Sequence, residues 1–275
     1  MRQVTQQAPI GVFDSGLGGL TVVRAIQRRL PHEDLIYLGD NARVPYGTRS
    51  AKTVLGYARA CARKLREHEI KLLVVACNTV SAVALDLLAV ELDIPVLGVI
   101  TPGARAGVES SARGRVGVIA TAGTVDSGAY PRAVATVDTR AETFMQAAPL
   151  LVPLAEEGWI EGEVPALAVR RYLEPLVQAG IDTLVLGCTH YPLLRDVIAR
   201  ELCALSGRPL PVVDSAEATA AELEATLRAR DLCAEREAAG RLSLLVTDMP
   251  KRFADVAARF LGHPLTGLEL SAIDL

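Results

Sequence analysis

Two eight-residue segments of this 275-residue chain share one pattern, an apolar run that ends in cysteine: Ile70-Lys-Leu-Leu-Val-Val-Ala-Cys77 and Ile181-Asp-Thr-Leu-Val-Leu-Gly-Cys188. Runs of this kind suit strands buried on both faces of a parallel sheet. A second pair, Gly11-Val-Phe-Asp-Ser-Gly16 and Gly117-Val-Ile-Ala-Thr-Ala122, aligns more loosely at nearly the same separation, 11 to 117 against 77 to 188. Between such runs the apolar residues recur with helical period. Leu20, Val23, Ile26 and Leu30 do so up to Pro31, and Val54, Ala58, Cys61 and Leu65 do so before Ile70. Strands alternating with helices predict an α/β fold of two similar doubly wound parallel-sheet domains facing a shared cleft.

By this count the first domain comprises residues 1–100 plus 211–275 and the second residues 101–210. The tail after Pro211, with its Ala/Glu/Arg-rich helix, is expected to return to the first domain. Cys77 and Cys188 then stand at the carboxyl ends of equivalent strands, where open α/β sheets place their ligands.

Composition excludes several classes. A formal net charge of -3 and a pI near 5.9 supply no basic field for nucleic acid. The opening MRQVTQQAP has no apolar leader core, and no later run has the ~18 apolar residues that a membrane span requires. A cytoplasmic protein, without membrane or nucleic-acid partners, is expected. Five widely spaced cysteines make no disulfide framework and no zinc spacing. Cys61, Cys203 and Cys233 read as structural cysteines on helices.

The other two cysteines carry chemistry. Asn78-Thr79 and Thr189 follow them, residue types that cap helices, so both sulfurs are expected near helix N-termini, where the dipole favours thiolate. One thiolate taking a proton while an opposed thiol returns one suits inversion at a carbon with a removable hydrogen. Asp14-Ser-Gly-Leu-Gly-Gly19 follows the first strand, but it lacks the third glycine of a dinucleotide fingerprint and any G-K-[ST]. Its carboxylate and hydroxyl suit an ammonium group. The plainer readings are a left-handed glycine turn with helix packing, and Asp14 as an N-cap.

Asp14-Ser-Gly-Leu-Gly-Gly19, Asp40-Asn-Ala-Arg-Val-Pro-Tyr-Gly47, Ala76-Cys-Asn-Thr79, Ala120-Thr-Ala-Gly-Thr124 and Gly187-Cys-Thr-His-Tyr-Pro192 together resemble the motif set of the glutamate racemases, in the cofactor-independent aspartate/glutamate racemase superfamily. The resemblance implies that Cys77 and Cys188 exchange the α-proton on opposite faces of glutamate. It implies that Asp14 supports the first thiol and His190 the second, with Glu156 in Leu154-Ala-Glu-Glu-Gly158 as a further acid, Glu157 being its competitor for that place. Ser15, Tyr46, Gly47, Asn78, Thr79, Thr121, Thr189 and His190, with Asp14, match the positions that hold the substrate. No cofactor is implied, neither pyridoxal phosphate nor metal; a homodimer is compatible, and D-glutamate would serve peptidoglycan synthesis. Two alternatives stay open: a racemase for aspartate or another small amino acid, and a non-catalytic amino-acid-binding protein. A single-thiol decarboxylase would leave one cysteine position vacant, and here both are filled.

Overall fold

The apolar runs form strands and the periodic segments form the helices that cover them. The computed structural model describes residues 5–249 and 253–275; Met1 to Val4 of the polar opening lie outside them. The first unit runs β1 (Ile10–Asp14), α1 (Leu20–Arg29), β2 (Leu35–Gly39), α2 (Ala51–Arg66), β3 (Leu72–Val75), α3 (Asn78–Glu91), β4 (Val96–Gly98) and α4 (Ile100–Glu109). The second runs β5 (Arg115–Ala120), α5 (Ala122–Asp126), α6 (Ala129–Val137), β6 (Glu142–Ala147), α7 (Leu151–Glu157), α8 (Glu163–Gln178), β7 (Thr183–Gly187), α9 (Arg195–Ser206) and β8 (Val212–Asp214). Then follow α10 (Ser215–Ala229), β9 (Leu242–Val246), α11 (Phe253–Leu261) and β10 (Glu269–Ala272).

All strand pairs are parallel. The first sheet has the order β10-β9-β2-β1-β3-β4 and the second β6-β5-β7-β8. Within them, 2-1-3-4 and 6-5-7-8 are one topology used twice, which is the structural counterpart of the sequence echo. In each, the order reverses between the first and third strands, β1/β3 and β5/β7. That reversal opens a crevice at the strands' carboxyl ends. Asp14 ends β1 and Cys77 follows β3; Thr121 follows β5 and Cys188 follows β7.

Local chemistry accounts for the helices. Ser50 caps α2 by accepting from the Thr53 amide at 3.3 Å, and Arg63, Lys64 and Arg66 crowd its last turn, where cations oppose the dipole. Cys61 is fully buried with Val54, Ala58 and Leu65, as the spacing predicts. Every residue of β3 and β7 is buried, so helices cover both faces of each sheet.

Three expectations change. β8 pairs with β7, so the second sheet extends beyond residue 210; the chain rejoins the first sheet at β9, while α10 packs on both α1 and α4. A short strand of three residues gives too weak a pattern to mark that boundary in the sequence. Cys233 lies past the end of α10 in irregular chain and is half-buried. Gly16, Gly18 and Gly19 are not left-handed; a Cβ would run into Thr189 Oγ1 at Gly18 and would lie 2.5 Å from Asp14 Cβ at Gly19, so these two are needed for room. Among the described residues, no helix is long and apolar enough to cross a membrane.

Candidate active site

Both switch points open onto one cavity of about 380 Å³. Its wall includes Ser15, Tyr46, Gly47, Cys77, Asn78, Thr79, Thr121, Glu156, Cys188, Thr189 and His190, so the structure assembles the expected site residues from both units. Asp14 is the exception. It is fully buried just behind the wall, where its Oδ2 accepts from the Gly16 amide at 3.0 Å and its Oδ1 from Thr189 Oγ1 at 3.5 Å. Gly19, with no side-chain cap, begins α1, so Asp14 is not that helix's N-cap.

The two thiols keep different company. Each is 6% exposed and lines the cavity. Cys77 Sγ lies 3.4 Å from Ser15 Oγ, to which it donates as a thiol. Cys188 Sγ lies 3.8 Å from His190 Nδ1, and His190 Nε2 lies 3.0 Å from Glu156 Oε1. Glu156, and not Glu157, is therefore the carboxylate that reaches the histidine. Phe260 of α11 sets its ring edge-on to His190 at 5.0 Å.

Electrostatics sharpen the asymmetry. Cys77 is itself the N-cap of α3, and the Val80 amide favours its thiolate, yet burial and the neighbouring Asp14 carboxylate outweigh both and push its pKa up to about 12. The expectation that the helix dipole would bring this thiol towards neutral pH fails because desolvation of a buried anion exceeds a fraction of a dipole charge. Burial also works against the His190 imidazolium, but hydrogen bonds to Cys188 and Glu156 prevail and hold its pKa up at about 10. A protonated His190 is a ready counter-ion for sulfur as thiolate. Burial raises Asp14 above the ordinary carboxylate value, against the pull of His190 and the Gly19, Gly16 and Ser15 amides.

The remaining polar groups bridge the units. Thr79 Oγ1 and Thr121 Oγ1 are 3.0 Å apart, and both reach Thr124, which is fully buried. Tyr130 donates to Asn78 Oδ1 at 2.8 Å, which turns the amide; Asn78 Nδ2 is buried with no hydrogen-bond partner among the described residues. A buried donor in a cavity wall calls for an acceptor oxygen there. Tyr46 is placed differently from a ligand-binding phenol, because its hydroxyl donates to Asp40 Oδ2. Sequence reasoning missed Tyr130, Thr124 and the apolar lining Val44, Pro45, Pro149, Val152 and Pro153. Val44 and Pro45 lay inside the Asp40–Gly47 motif, and Thr124 three residues after its cap Thr121; the others carried no signal.

The glycine turn presses on the opposite unit. A Cβ on Gly18 would sit 2.5 Å from His190 Nδ1 and nearer still to Thr189 Oγ1, and Thr21 Oγ1 donates to the Thr189 carbonyl at 3.0 Å. No group of three or more His, Cys, Asp or Glu side chains is arranged to hold a metal ion among the described residues.

Similarity to known proteins identifies the family. Residues 10–223 match the Asp/Glu/Hydantoin racemase family. The chain is 51% identical over 256 residues to the glutamate racemase of Geobacter metallireducens, covering 93% of both chains. It superimposes on a glutamate racemase isoform of Bacillus anthracis with a TM-score of 0.90 at 38% identity, and on the Francisella tularensis glutamate racemase, solved with D-glutamate, with 0.89 at 35%, each over 98% of both chains. The chain belongs to the Asp/Glu/Hydantoin racemase family.

Proposed function

We propose that this protein interconverts L- and D-glutamate without a cofactor, by proton exchange between the substrate α-carbon and two thiols, in the cytoplasm, with D-glutamate passing to peptidoglycan synthesis. The observation that carries the reading is the placement of Cys77 and Cys188 at equivalent strand ends on one cavity, each with its own polar partner. In one direction Cys188, as thiolate beside imidazolium His190, takes the α-proton. Cys77, held protonated by burial and Asp14, delivers its proton to the other face, leaving thiol at Cys188 and thiolate at Cys77. The reverse reaction exchanges the roles, with the Ser15 hydroxyl and the Val80 amide easing the charge on Cys77.

An amino-acid α-hydrogen is a very weak acid, so the site itself must stabilise the developing carbanion. The Asn78 amide and the Thr79–Thr121 hydroxyls support that role, being donors already fixed in place by Tyr130 and Thr124. Exclusion of water between the two units would strengthen every one of these interactions.

The test is incubation of purified, reduced protein in D2O with L-glutamate and, separately, L-aspartate. The expected product is α-deuterated D-glutamate, absent with Cys77→Ser or Cys188→Ser. Exchange with aspartate alone would move the substrate, and exchange with neither would overturn the reading.

A further inference from the structure

Asp40 follows β2 and is fully buried, yet it lines no part of the cavity. Its amide donates to the Asp14 carbonyl at 3.1 Å, which joins it to the same switch point. Its carboxylate gathers three donors: Oδ2 accepts from the Tyr46 hydroxyl and from Arg43 Nε at 2.6 Å, and Oδ1 from Thr247 Oγ1 at 3.0 Å. Arg43 lies over the Tyr57 ring at 4.4 Å, and the Tyr57 ring is 5.2 Å from that of Tyr46. Thr247, just beyond β9, also accepts from the Ala42 amide at 2.9 Å. A buried carboxylate is tolerated only with such partners, and once made they hold their donors in one geometry.

Of those donors, Arg43 directly precedes, and Tyr46 belongs to, the segment that walls the cavity. Val44, Pro45, Tyr46, Gly47 and Thr48 line it, and Gly47 fits against the second unit closely enough that a Cβ would lie 2.9 Å from Thr121 Cβ. Gly123 in turn leaves a Cβ only 2.8 Å from the Gly47 carbonyl. The position of the 44–48 wall relative to Thr121 is therefore set from behind, at Tyr46 and Arg43.

We infer that Asp40 is a positioning residue for substrate binding: it clamps Tyr46 and Arg43 so that the 44–48 turn meets Thr121 in the geometry the substrate requires. This rests on the glutamate reading of the cavity. Asp40 does not touch the substrate, so its loss acts on KM through the turn while the thiols and His190 keep their places.

Two variants outside the cavity test this, Asp40→Asn, which keeps the shape and removes the charge, and Thr247→Val, which at nearly constant volume removes a donor to Asp40 and the acceptor of the Ala42 amide. In the wild-type background each is compared for KM and kcat in both directions, with melting temperature as a control for folding. A displaced wall raises KM for glutamate about tenfold or more in Asp40→Asn, and by less in Thr247→Val, with kcat held within about threefold. A merely structural role would lower the melting temperature and leave KM unchanged, and that result overturns the inference, as does a fall in kcat at constant KM. If Asp40→Asn does not fold, Thr247→Val decides by the same criteria. A wild-type protein that does not racemise glutamate overturns the reading of the cavity, and this inference with it.

Discussion

Substituting Gly18 with alanine adds one methyl group where the first unit touches the turn that carries Thr189 and His190. The new Cβ would stand 2.5 Å from His190 Nδ1, where ordinary contact begins at 3.4 Å, so the ring has to give by about 1 Å. His190 has little room to do so, being held by Glu156 on one side and Phe260 on the other. Overpacking of this kind lowers stability by about 1–3 kcal/mol. Displacing a group beside the reacting sulfur by about 1 Å lowers kcat by about 100-fold, or roughly 2.7 kcal/mol of barrier. Activity should therefore fall much further than the folded fraction does. Racemisation kinetics and thermal melts on the same preparation separate the two. Gly56→Ala is the control: it is exposed on α2 with nothing within 4 Å of the added methyl, and it should stabilise the protein by about 0.5–1 kcal/mol without touching activity. A Gly18→Ala protein with wild-type kcat and KM would refute the claim that this glycine exists to let the two units approach.

Three further outcomes follow from the electrostatics. Glu156→Gln should shift the His190 titration down from about 10 by less than about one pH unit, since the Glu156 side chain is 46% exposed and largely screened, while Cys188 still favours the imidazolium; ring NMR reads this, and an upward shift or none contradicts the dyad. Asp182 is buried, and although burial opposes its charge, bonds from Ser111 and the Arg113 and Arg115 amides hold its pKa below the ordinary value. A depressed carboxylate adds stability that is fully present above its unfolded value and lost as pH falls through its folded one, so Asp182→Asn should flatten the acid limb of the melting curve, and an unchanged slope would refute it. Lys71 is fully buried against Glu33 and also donates to the Gln6 and Leu232 carbonyls, so Lys71→Ala, which strands a buried carboxylate, should cost about 3–5 kcal/mol in urea unfolding; a loss under about 1 kcal/mol would show that Glu33 finds water.

How far the sequence reached can be judged residue by residue. Strand runs such as Leu72–Val75 and Thr183–Gly187 were legible because full burial leaves an uninterrupted apolar run, and the doubled topology was legible because the same run recurs. The motifs supplied most of the cavity wall, but not Thr48, Pro149, Val152 and Pro153. Their spacing could not say that the Tyr46 hydroxyl turns from the cavity to Asp40, or that Asp14 stands behind Thr189, because a motif records residue types and not the direction of a side chain.

By itself, then, the sequence determined the α/β alternation, the two equivalent strand ends and the pair of thiols, all of which are periodic or local patterns along the chain. Tertiary structure alone decided where the second sheet ends, that Glu156 and not Glu157 meets His190, and that Cys77 is a high-pKa thiol. Those outcomes depend on which groups from distant segments are brought together and on how much water is removed around them. Desolvation and close approach are properties of the assembled volume, and no window of sequence contains them.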